Sequence, residues 1–297
     1  MTGELPSEAS EILSEYEVVR SDSASERIAD SEVLLAWPSR VTMDLLSRMK
    51  SLKMIQSLSA GVDALPLEAI PDGVSVHSNA GAYTSSVAEH AWGLLLGLAK
   101  GLQVRNRRTV PRTLRRKTLL VLGAGGIGCE VASLSRSLDM KAIAVSRSFR
   151  RPELFVERHP PGALDDVIGA ADAVVIALPL TRETRGAVGY GTLMKCGPNV
   201  LVVNVGRGET VVEADLLRWL KERPESRFAT DVFWKKGGKE TFDTPAWELP
   251  NFGGTLHISG VPLGDSLLAP FRLGAENVKR FLETGAAANK VDMRDYL

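Results

Sequence analysis

Apolar residues along the chain fall into short runs separated by stretches of helical period, an alternation that predicts an α/β protein. Three early runs, Val33-Leu34-Leu35-Ala36, Met54-Ile55-Gln56-Ser57 and Val74-Ser75-Val76, flank a helical pattern over 43–49 that carries Leu45, Leu46 and Met49. They predict a small open α/β unit, and nothing before the first run reads as a leading strand. A longer helical pattern over 86–102 sets Val87, Ala91, Leu94, Leu95 and Leu98 on one face and predicts a helix joining one domain to the next. Farther on, strands are predicted over 118–122, 141–145, 173–178, 200–204 and 228–232, and helices over 164–168, 214–221 and 267–282. Residues 1–30 are polar apart from Ile12, Leu13 and Tyr16, and residues 283–297 read as a polar tail.

The strand at 118–122 runs directly into Gly123-Ala124-Gly125-Gly126-Ile127-Gly128, and a helical face of Ile127, Val131, Leu134 and Leu138 follows. Strand, glycine turn and helix in that order are the requirements of a dinucleotide-binding unit. Gly123 permits the turn, Gly125 admits a pyrophosphate to the backbone, Gly128 lets helix and strand pack, and the helix start offers N–H groups to phosphate. The end of the next strand should carry an acid if it holds a ribose 2′-hydroxyl. It carries Ser146-Arg147-Ser148, with Arg150 and Arg151 beyond, donors that suit a 2′-phosphate. The expected cofactor is therefore NADP(H), with NAD(H) as the weaker alternative. In that alternative the charged loop is merely solvated and Asp139 or another acid takes the ribose.

Length and composition narrow the field. A chain of 297 residues has room for two domains, and 44% hydrophobic with 24% charged residues is the balance of a soluble globular protein. Thirty-six basic residues offset thirty-six acidic ones, so charge points to neither nucleic acid nor anionic membrane. Seven basic residues crowd into 105–117 without interleaved aromatics, which reads as a solvated connector. No apolar run is long enough to span a bilayer, and Met1-Thr2-Gly3-Glu4 is polar. Two cysteines, Cys129 and Cys196, fit a reducing cytoplasm, and Cys129 reads as a packed residue. No metal site is expected.

In an open parallel sheet, ligands bind outside the carboxyl ends of the strands. Those ends carry Gly123, Ser146, Pro179, Arg207, Asp231 and, past Thr255-Leu256, His257. Arg207, between Gly206 and Gly208, can clamp a carboxylate, and His257 can give a proton to a carbonyl oxygen. Taken singly, Arg207 could be a structural ion-pair partner and His257 a loop histidine with its bonds satisfied. Their joint occurrence at strand ends of a dinucleotide sheet points to a 2-oxo acid reductase.

These residues bring a resemblance into view. The chain resembles the D-isomer-specific 2-hydroxyacid dehydrogenase family, which includes glyoxylate and hydroxypyruvate reductases, phosphoglycerate dehydrogenase and formate dehydrogenase. The matching stretches are Ser59-Ala60-Gly61-Val62-Asp63, Asn79-Ala80-Gly81, Val87-Ala88-Glu89-His90, the glycine turn, Leu178-Pro179-Leu180-Thr181 with Thr184, Val203-Asn204-Val205-Gly206-Arg207-Gly208, Asp231-Val232-Phe233, and Pro250-Asn251 leading to His257. The resemblance implies a Rossmann dinucleotide-binding domain (84–261) inserted into a smaller flavodoxin-like substrate domain (1–83 and 262–297). It also implies a homodimer to which the helix from Val87 contributes. Arg207 would bind the substrate carboxylate, His257 would be the acid in reduction, and Ala60 and Gly61 would offer N–H groups to the carboxylate. The cofactor contacts would come from Gly123, Gly125, Gly126, Ile127, Gly128, Ser146, Arg147, Ser148, Leu178, Pro179, Thr184, Val205, Gly206, Asp231 and His257. The substrate is a small 2-oxo or 2-hydroxy acid such as glyoxylate or hydroxypyruvate, with Tyr83, Trp234 and Trp247 as candidates for its side-chain pocket.

Two departures stand out. The family places a glutamate five positions after the aspartate of Asp231-Val232-Phe233, where it hydrogen-bonds the histidine, whereas this chain has Lys236. A lysine is a donor of like charge and cannot serve. The loop looks about two residues longer than usual, so Glu240 is the candidate, with a solvent-exposed loop acid as the alternative. Leu256 stands where relatives usually carry proline, which alters loop stiffness. The missing glutamate leaves open a second function, a dinucleotide-binding regulatory or corepressor-like protein with weak catalysis. For formate dehydrogenase, the formate-binding asparagine and extra amino-terminal length are not evident.

Overall fold

The computed structural model describes residues 5–20, 26–102, 110–260 and 268–296. In chain order the first elements are α1 (Ser7–Ile12), β1 (Val33–Ala36), α2 (Met43–Arg48), β2 (Met54–Ser57), β3 (Ser75–His77), α3 (Thr84–Lys100), β4 (Thr118–Ala124), α4 (Gly126–Ser135), β5 (Lys141–Phe149) and β6 (Glu157–His159). There follow α5 (Leu164–Val167), β7 (Ala173–Ile176), α6 (Tyr190–Lys195), β8 (Leu201–Asn204), α7 (Glu213–Glu222), β9 (Arg227–Thr230), β10 (Lys235–Lys236), β11 (Lys239–Glu240), β12 (Phe252–Gly254) and α8 (Ala269–Thr284). The chain divides into two compact units, one of Met1–Tyr83 with Pro262–Leu297 and one of Thr84–Val261.

The first unit is built on a parallel sheet ordered β1-β2-β3. Its central strand is buried along its whole length, so Met54 and Ile55 anchor the core while Gln56 needs partners of its own. Gln56 finds them in the Ser57 carbonyl and in Asn277 of α8, whose amide donates to Gln56 Oε1 at 2.6 Å. Thr42 caps α2 by accepting from the Leu45 amide, and the helix turns Leu45 and Leu46 inward. The amphipathic residues near the amino end form α1, which packs Ala9 and Leu13 against Ala275 and Val278 of α8. The tail expected to be polar is instead docked. Val291 donates to the Val76 carbonyl, Ser78 donates to that of Asn289, and Val291, Met293 and Tyr296 pack onto the core. Apolar residues spaced singly among polar ones gave no periodic signal there.

The second unit carries seven parallel strands in the order β12-β9-β8-β7-β4-β5-β6, with carboxyl ends along one edge. Parallel strands bury both faces, which is why they read as unbroken apolar runs. Chain order reverses between β4 and β7, the switch point at which a crevice opens in such sheets. The helix expected over 86–102 is α3. It is a core helix of this unit, burying Val87, Ala91, Leu95 and Leu98 and donating from Trp92 to the Val131 carbonyl. Residues 105–109 of the basic run lie outside the described residues. Farther along, Arg112 is anchored rather than solvated, bonding the carbonyls of Asn199 and Glu225, and burial lowers its pKa. Two further strands, β6 and β12, give only weak sequence patterns because each spans three residues.

Among the described residues no helix is long and apolar enough to cross a membrane, and no group of three or more His, Cys, Asp or Glu is placed to hold a metal. Both cysteines are buried, and burial pushes the Cys196 thiol up to about 12.

His77 lies buried at the end of β3, its ring between the Ala288 carbonyl (2.8 Å) and Ser75 Oγ (3.2 Å). Burial first, and Lys290 to a smaller extent, lower its pKa below 6.5 against the raising effect of the Ala288 carbonyl. The native ring stays neutral where the unfolded one takes up a proton, so stability is full above 6.5 and lost as pH falls below it. We expect the urea midpoint to drop between about pH 7 and about pH 5, and His77→Gln to flatten that slope.

Candidate active site

The elements that place the site follow from close backbone packing at the carboxyl edge of the larger sheet. Gly206 follows β8 where a side chain would fall 2.4 Å from the Leu178 carbonyl oxygen, and at Gly208 a Cβ would meet the Phe233 carbonyl at 2.2 Å. Only glycine allows the two turns to approach so nearly. Arg207 is thereby held between them, half-buried, with its Nη1 donating to the Gly206 carbonyl at 2.8 Å. Asn204 secures the same turn, accepting from the Gly206 amide and donating to the Arg207 carbonyl, which also accepts from Thr210 Oγ1.

One strand over, Asp231 follows β9 and has no exposed surface. Its carboxylate accepts from Thr255 Oγ1 at 2.7 Å and from the amides of Ile258 and Ser259 at 2.9 and 3.0 Å. Burial alone would raise the Asp231 pKa, but the bonds from Ser259, Thr255 and Ile258 outweigh it and hold it below 3.8. His90 on α3 approaches through Thr255, with Nε2 2.6 Å from the hydroxyl and 3.6 Å from the Asp231 carboxylate. Ser86 fixes the far side of the loop by donating to the Ser259 carbonyl at 2.6 Å. His90, Thr255 and Ser86 do not appear among the residues singled out from sequence as candidates. His90 stood within a quoted motif, but only the fold brings it across 165 residues to Thr255.

His257 follows β12 on that loop. Its amide donates to the Asp231 carbonyl at 2.8 Å, and its φ of 53° is a left-handed conformation that histidine tolerates better than most residues. Its Nδ1 lies 2.5 Å from Glu240 Oε2. Glu240 reaches it from the β10–β11 hairpin, in which Gly237 and Gly238 take positive φ, and its other oxygen accepts from the Phe233 amide at 2.7 Å. The pair is partly shielded, with 41% of the His257 side chain and 23% of that of Glu240 exposed. Lys236 points elsewhere, donating to the Asp243 carbonyl. Since the carboxylate accepts, Nδ1 carries a proton and Nε2 is the nitrogen left for chemistry. Arg207 and His257 follow β8 and β12, the two neighbours of β9, a spacing of about 10 Å between their strands.

At the switch point, Gly123 has φ 98° and a Cβ there would sit 2.7 Å from the Ala177 carbonyl. Gly128 packs its Cα against the Gly123 carbonyl, where a Cβ would be 1.9 Å away. Gly125, by contrast, is exposed and opens onto free space at the start of the ten-residue α4, with Gly126 and Ile127 half-buried beside it. That is room for a phosphate at a helix start whose first N–H groups have no acceptor within the helix, so the residues present fit a dinucleotide. Leu178 and Pro179 follow β7, where Thr184 folds the loop by donating to the Pro179 carbonyl, and Val205 is buried after β8.

Ser146, Arg147 and Ser148 lie within β5, which runs four residues past the expected end at 145. Arg147 and Ser148 are exposed, and Arg147 pairs loosely with Glu183 at 3.8 Å. Asp139, the alternative ribose acid, precedes β5 at its amino end and pairs with Arg115 at 2.8 Å.

In the smaller unit, Ala60 and Gly61 form a bend after β2, Ala60 exposed and Gly61 half-buried. The bend is fixed by Ser57 Oγ, which accepts from the Ser59 amide, and by the Asn79 amide donating to the Ser59 carbonyl. Tyr83 donates to the Leu58 carbonyl at 2.7 Å. The pocket expectation for Trp234 and Trp247 is corrected. Trp234 is buried and bonds the Val211 carbonyl, and Trp247 stacks on Phe233 and meets Phe252 edge-on. Large rings near strand ends fill this core rather than line a ligand site.

Comparison with known proteins agrees with this architecture. The family model of the D-isomer specific 2-hydroxyacid dehydrogenase NAD binding domain matches residues 74–259. The chain is 30% identical over 283 residues to a D-3-phosphoglycerate dehydrogenase of Methanocaldococcus jannaschii, covering 90% of this chain and 53% of that protein. It is 28% identical over 288 residues to a hydroxypyruvate reductase of Thermotoga maritima, covering 93% and 91%. The solved structure of a glycerate dehydrogenase related protein from Thermoplasma acidophilum superposes with a TM-score of 0.64 at 32% identity, covering 93% and 94%. The chain spans about half the length of the phosphoglycerate dehydrogenases it matches, 53% of one and 45% of another.

Asp231→Asn keeps the shape but turns one acceptor into a donor facing buried amides. We expect a stability loss of about 3 kcal/mol in urea unfolding and faster amide exchange at Ile258 and Ser259. Parental stability with unchanged exchange would show that the carboxylate does not hold the loop.

Proposed function

The chain belongs to the D-isomer specific 2-hydroxyacid dehydrogenase family, and from that premise we propose that it is an NADPH-dependent reductase of small 2-oxo acids such as glyoxylate or hydroxypyruvate. The observation that carries this reading is the 2.5 Å pair of His257 and Glu240, with Arg207 two strands away along the same carboxyl edge of a dinucleotide sheet.

In this reading Arg207 holds the substrate carboxylate bidentately, and its guanidinium draws electron density from the adjacent carbonyl. His257 enters as the imidazolium and gives its Nε2 proton to the carbonyl oxygen as the C2 centre is reduced to the alcohol. Glu240 stabilises the charge by accepting from Nδ1, and the Phe233 amide keeps Glu240 turned toward the ring. Asp231 acts on the same histidine indirectly by holding the loop. The bound cofactor supplies the hydride. Gly123, Gly125, Gly126, Ile127 and Gly128 would hold its pyrophosphate, with Leu178, Pro179, Thr184, Val205 and Gly206 along its course.

The preference for the 2′-phosphate is read from Ser146, Arg147 and Ser148 toward the carboxyl end of β5 and from Asp139 lying before its amino end. The assembly we propose is a homodimer in which the exposed α3 face of Ser85, Glu89, Gly93 and Leu96 takes part.

Arg207→Ala should lower kcat/KM for 2-oxo acids by on the order of a hundredfold or more, mostly recovered by neither lysine nor added salt. His257→Gln should cut kcat by at least about a hundredfold, far more than it changes the NADPH dissociation constant. Full turnover in either variant would refute the assigned role. The KM for NADPH should be lower than that for NADH by about tenfold, and a lower KM for NADH would reverse the cofactor assignment.

A further inference from the structure

Ser86 and His90 stand one turn apart on the half-buried flank of α3, and both reach the segment from Thr255 to Ser259, which carries His257 at its middle. Ser86 Oγ donates to the Ser259 carbonyl at 2.6 Å, and His90 Nε2 lies 2.6 Å from Thr255 Oγ1. Residues so spaced on a helix share a face and lie about 6 Å apart along its axis. The segment between their partners, laid out straight, would span about 13 Å. Anchored at half its reach, it has to bow, and at the crest of the bow His257 takes its φ of 53°.

Counting protons fixes the direction of the bonds. Asp231 is a carboxylate that only accepts, and it takes the Thr255 hydroxyl proton at 2.7 Å. A hydroxyl has a single proton, so Thr255 turns lone pairs to His90, and His90 Nε2 is the donor. The bonds therefore run in one sense from His90 through Thr255 to Asp231, whose carboxylate also holds the amides of Ile258 and Ser259.

We propose that Ser86 and His90 are positioning residues for the reduction: two donors one turn apart on α3 set the bow of the segment from Thr255 to Ser259 and thereby the place of the His257 ring. This assignment rests on the proposed role of His257 as proton donor and adds two residues to the site. Packing does not account for them, because Val87, Ala91, Leu95 and Leu98 bury α3, while His90 keeps 22% of its side chain exposed. The demand on His90 is for an N–H at one ring nitrogen. Glutamine carries an N–H at the reach of Nε2, and asparagine only at the reach of Nδ1.

The test compares His90→Gln with His90→Asn in the full chain. His90→Asn should speed amide exchange at His257 and Ile258 about tenfold, with Leu94 and Leu95 on the same helix unchanged, and His90→Gln should keep the parental rates. In reduction of glyoxylate or hydroxypyruvate with NADPH, His90→Asn should lower kcat about tenfold at a KM within about twofold of the parent's, and His90→Gln should recover most of that loss. Ser86→Ala should act in the same direction, and its effect should shrink when added to His90→Asn, because a bow released at one end has little left to lose at the other. Equal exchange and equal kcat in the glutamine and asparagine variants would overturn the role of His90, and strictly additive effects would overturn the shared anchoring. A parent that reduces no 2-oxo acid would refute the reductase reading instead, and the exchange contrast alone would then decide whether the two residues set the loop.

Discussion

Asp231 is a carboxylate without exposed surface, and the candidate site is arranged around the need to satisfy it. A buried carboxylate costs several kcal/mol unless its lone pairs are filled, and here Thr255 and the amides of Ile258 and Ser259 fill them. Those three groups belong to the loop that bears His257, so the same bonds that satisfy the charge set the path of the chain past β12. His90 and Ser86, both on α3, press on that loop from the helix side. The histidine is thus positioned by a sheet strand and a core helix together, which fixes the backbone that carries its ring.

Glu240 meets the same requirement by a different route. Its carboxylate is shared between the His257 ring and the Phe233 amide, so one oxygen orients the imidazole while the other orients the acid. The position five residues after Asp231 carries a lysine that is drawn off to a carbonyl, and two glycines of positive φ in the hairpin bring Glu240 back to the ring. The hairpin thereby makes a carboxylate-to-imidazole contact that a count of residues from Asp231 would not find. The electrostatic reason is that a cation forming on the imidazole has to be met by an acceptor within hydrogen-bond reach, wherever in the chain that acceptor originates.

Close backbone approach is the second constraint. At Gly206, Gly208 and Gly254 any side chain would collide with a neighbouring carbonyl, so the carboxyl ends of β7, β8, β9 and β12 draw together without intervening side chains. The glycine turn after β4 shows the opposite use of the residue. Gly125 opens onto space, leaving the helix start accessible to a ligand. Glycine is required in the first set by crowding and in the second by access.

Much of this was legible in the chain before folding. Unbroken apolar runs such as 173–176 mark strands buried on both faces, and Gly123 to Gly128 between strand and helix marks the dinucleotide turn, because both signals are local and depend on neighbours a few residues away. Arg207 and Asp231 each stand just past a strand whose pattern is local in the same way, whereas β12, which precedes His257, spans too few residues to give one. What local sequence could not carry was contact across long separations. The pairing of His90 with Thr255, the docking of residues 289–296 onto β3, the burial of Trp234 and the stacking of Trp247 on Phe233 are set by which segments the sheet order makes neighbours. The sequence alone determined the longer strands and helices and the glycine turn between β4 and α4. Only the tertiary structure decided that Glu240, rather than any acid at a fixed spacing, meets His257, because a hydrogen bond is chosen by distance in space.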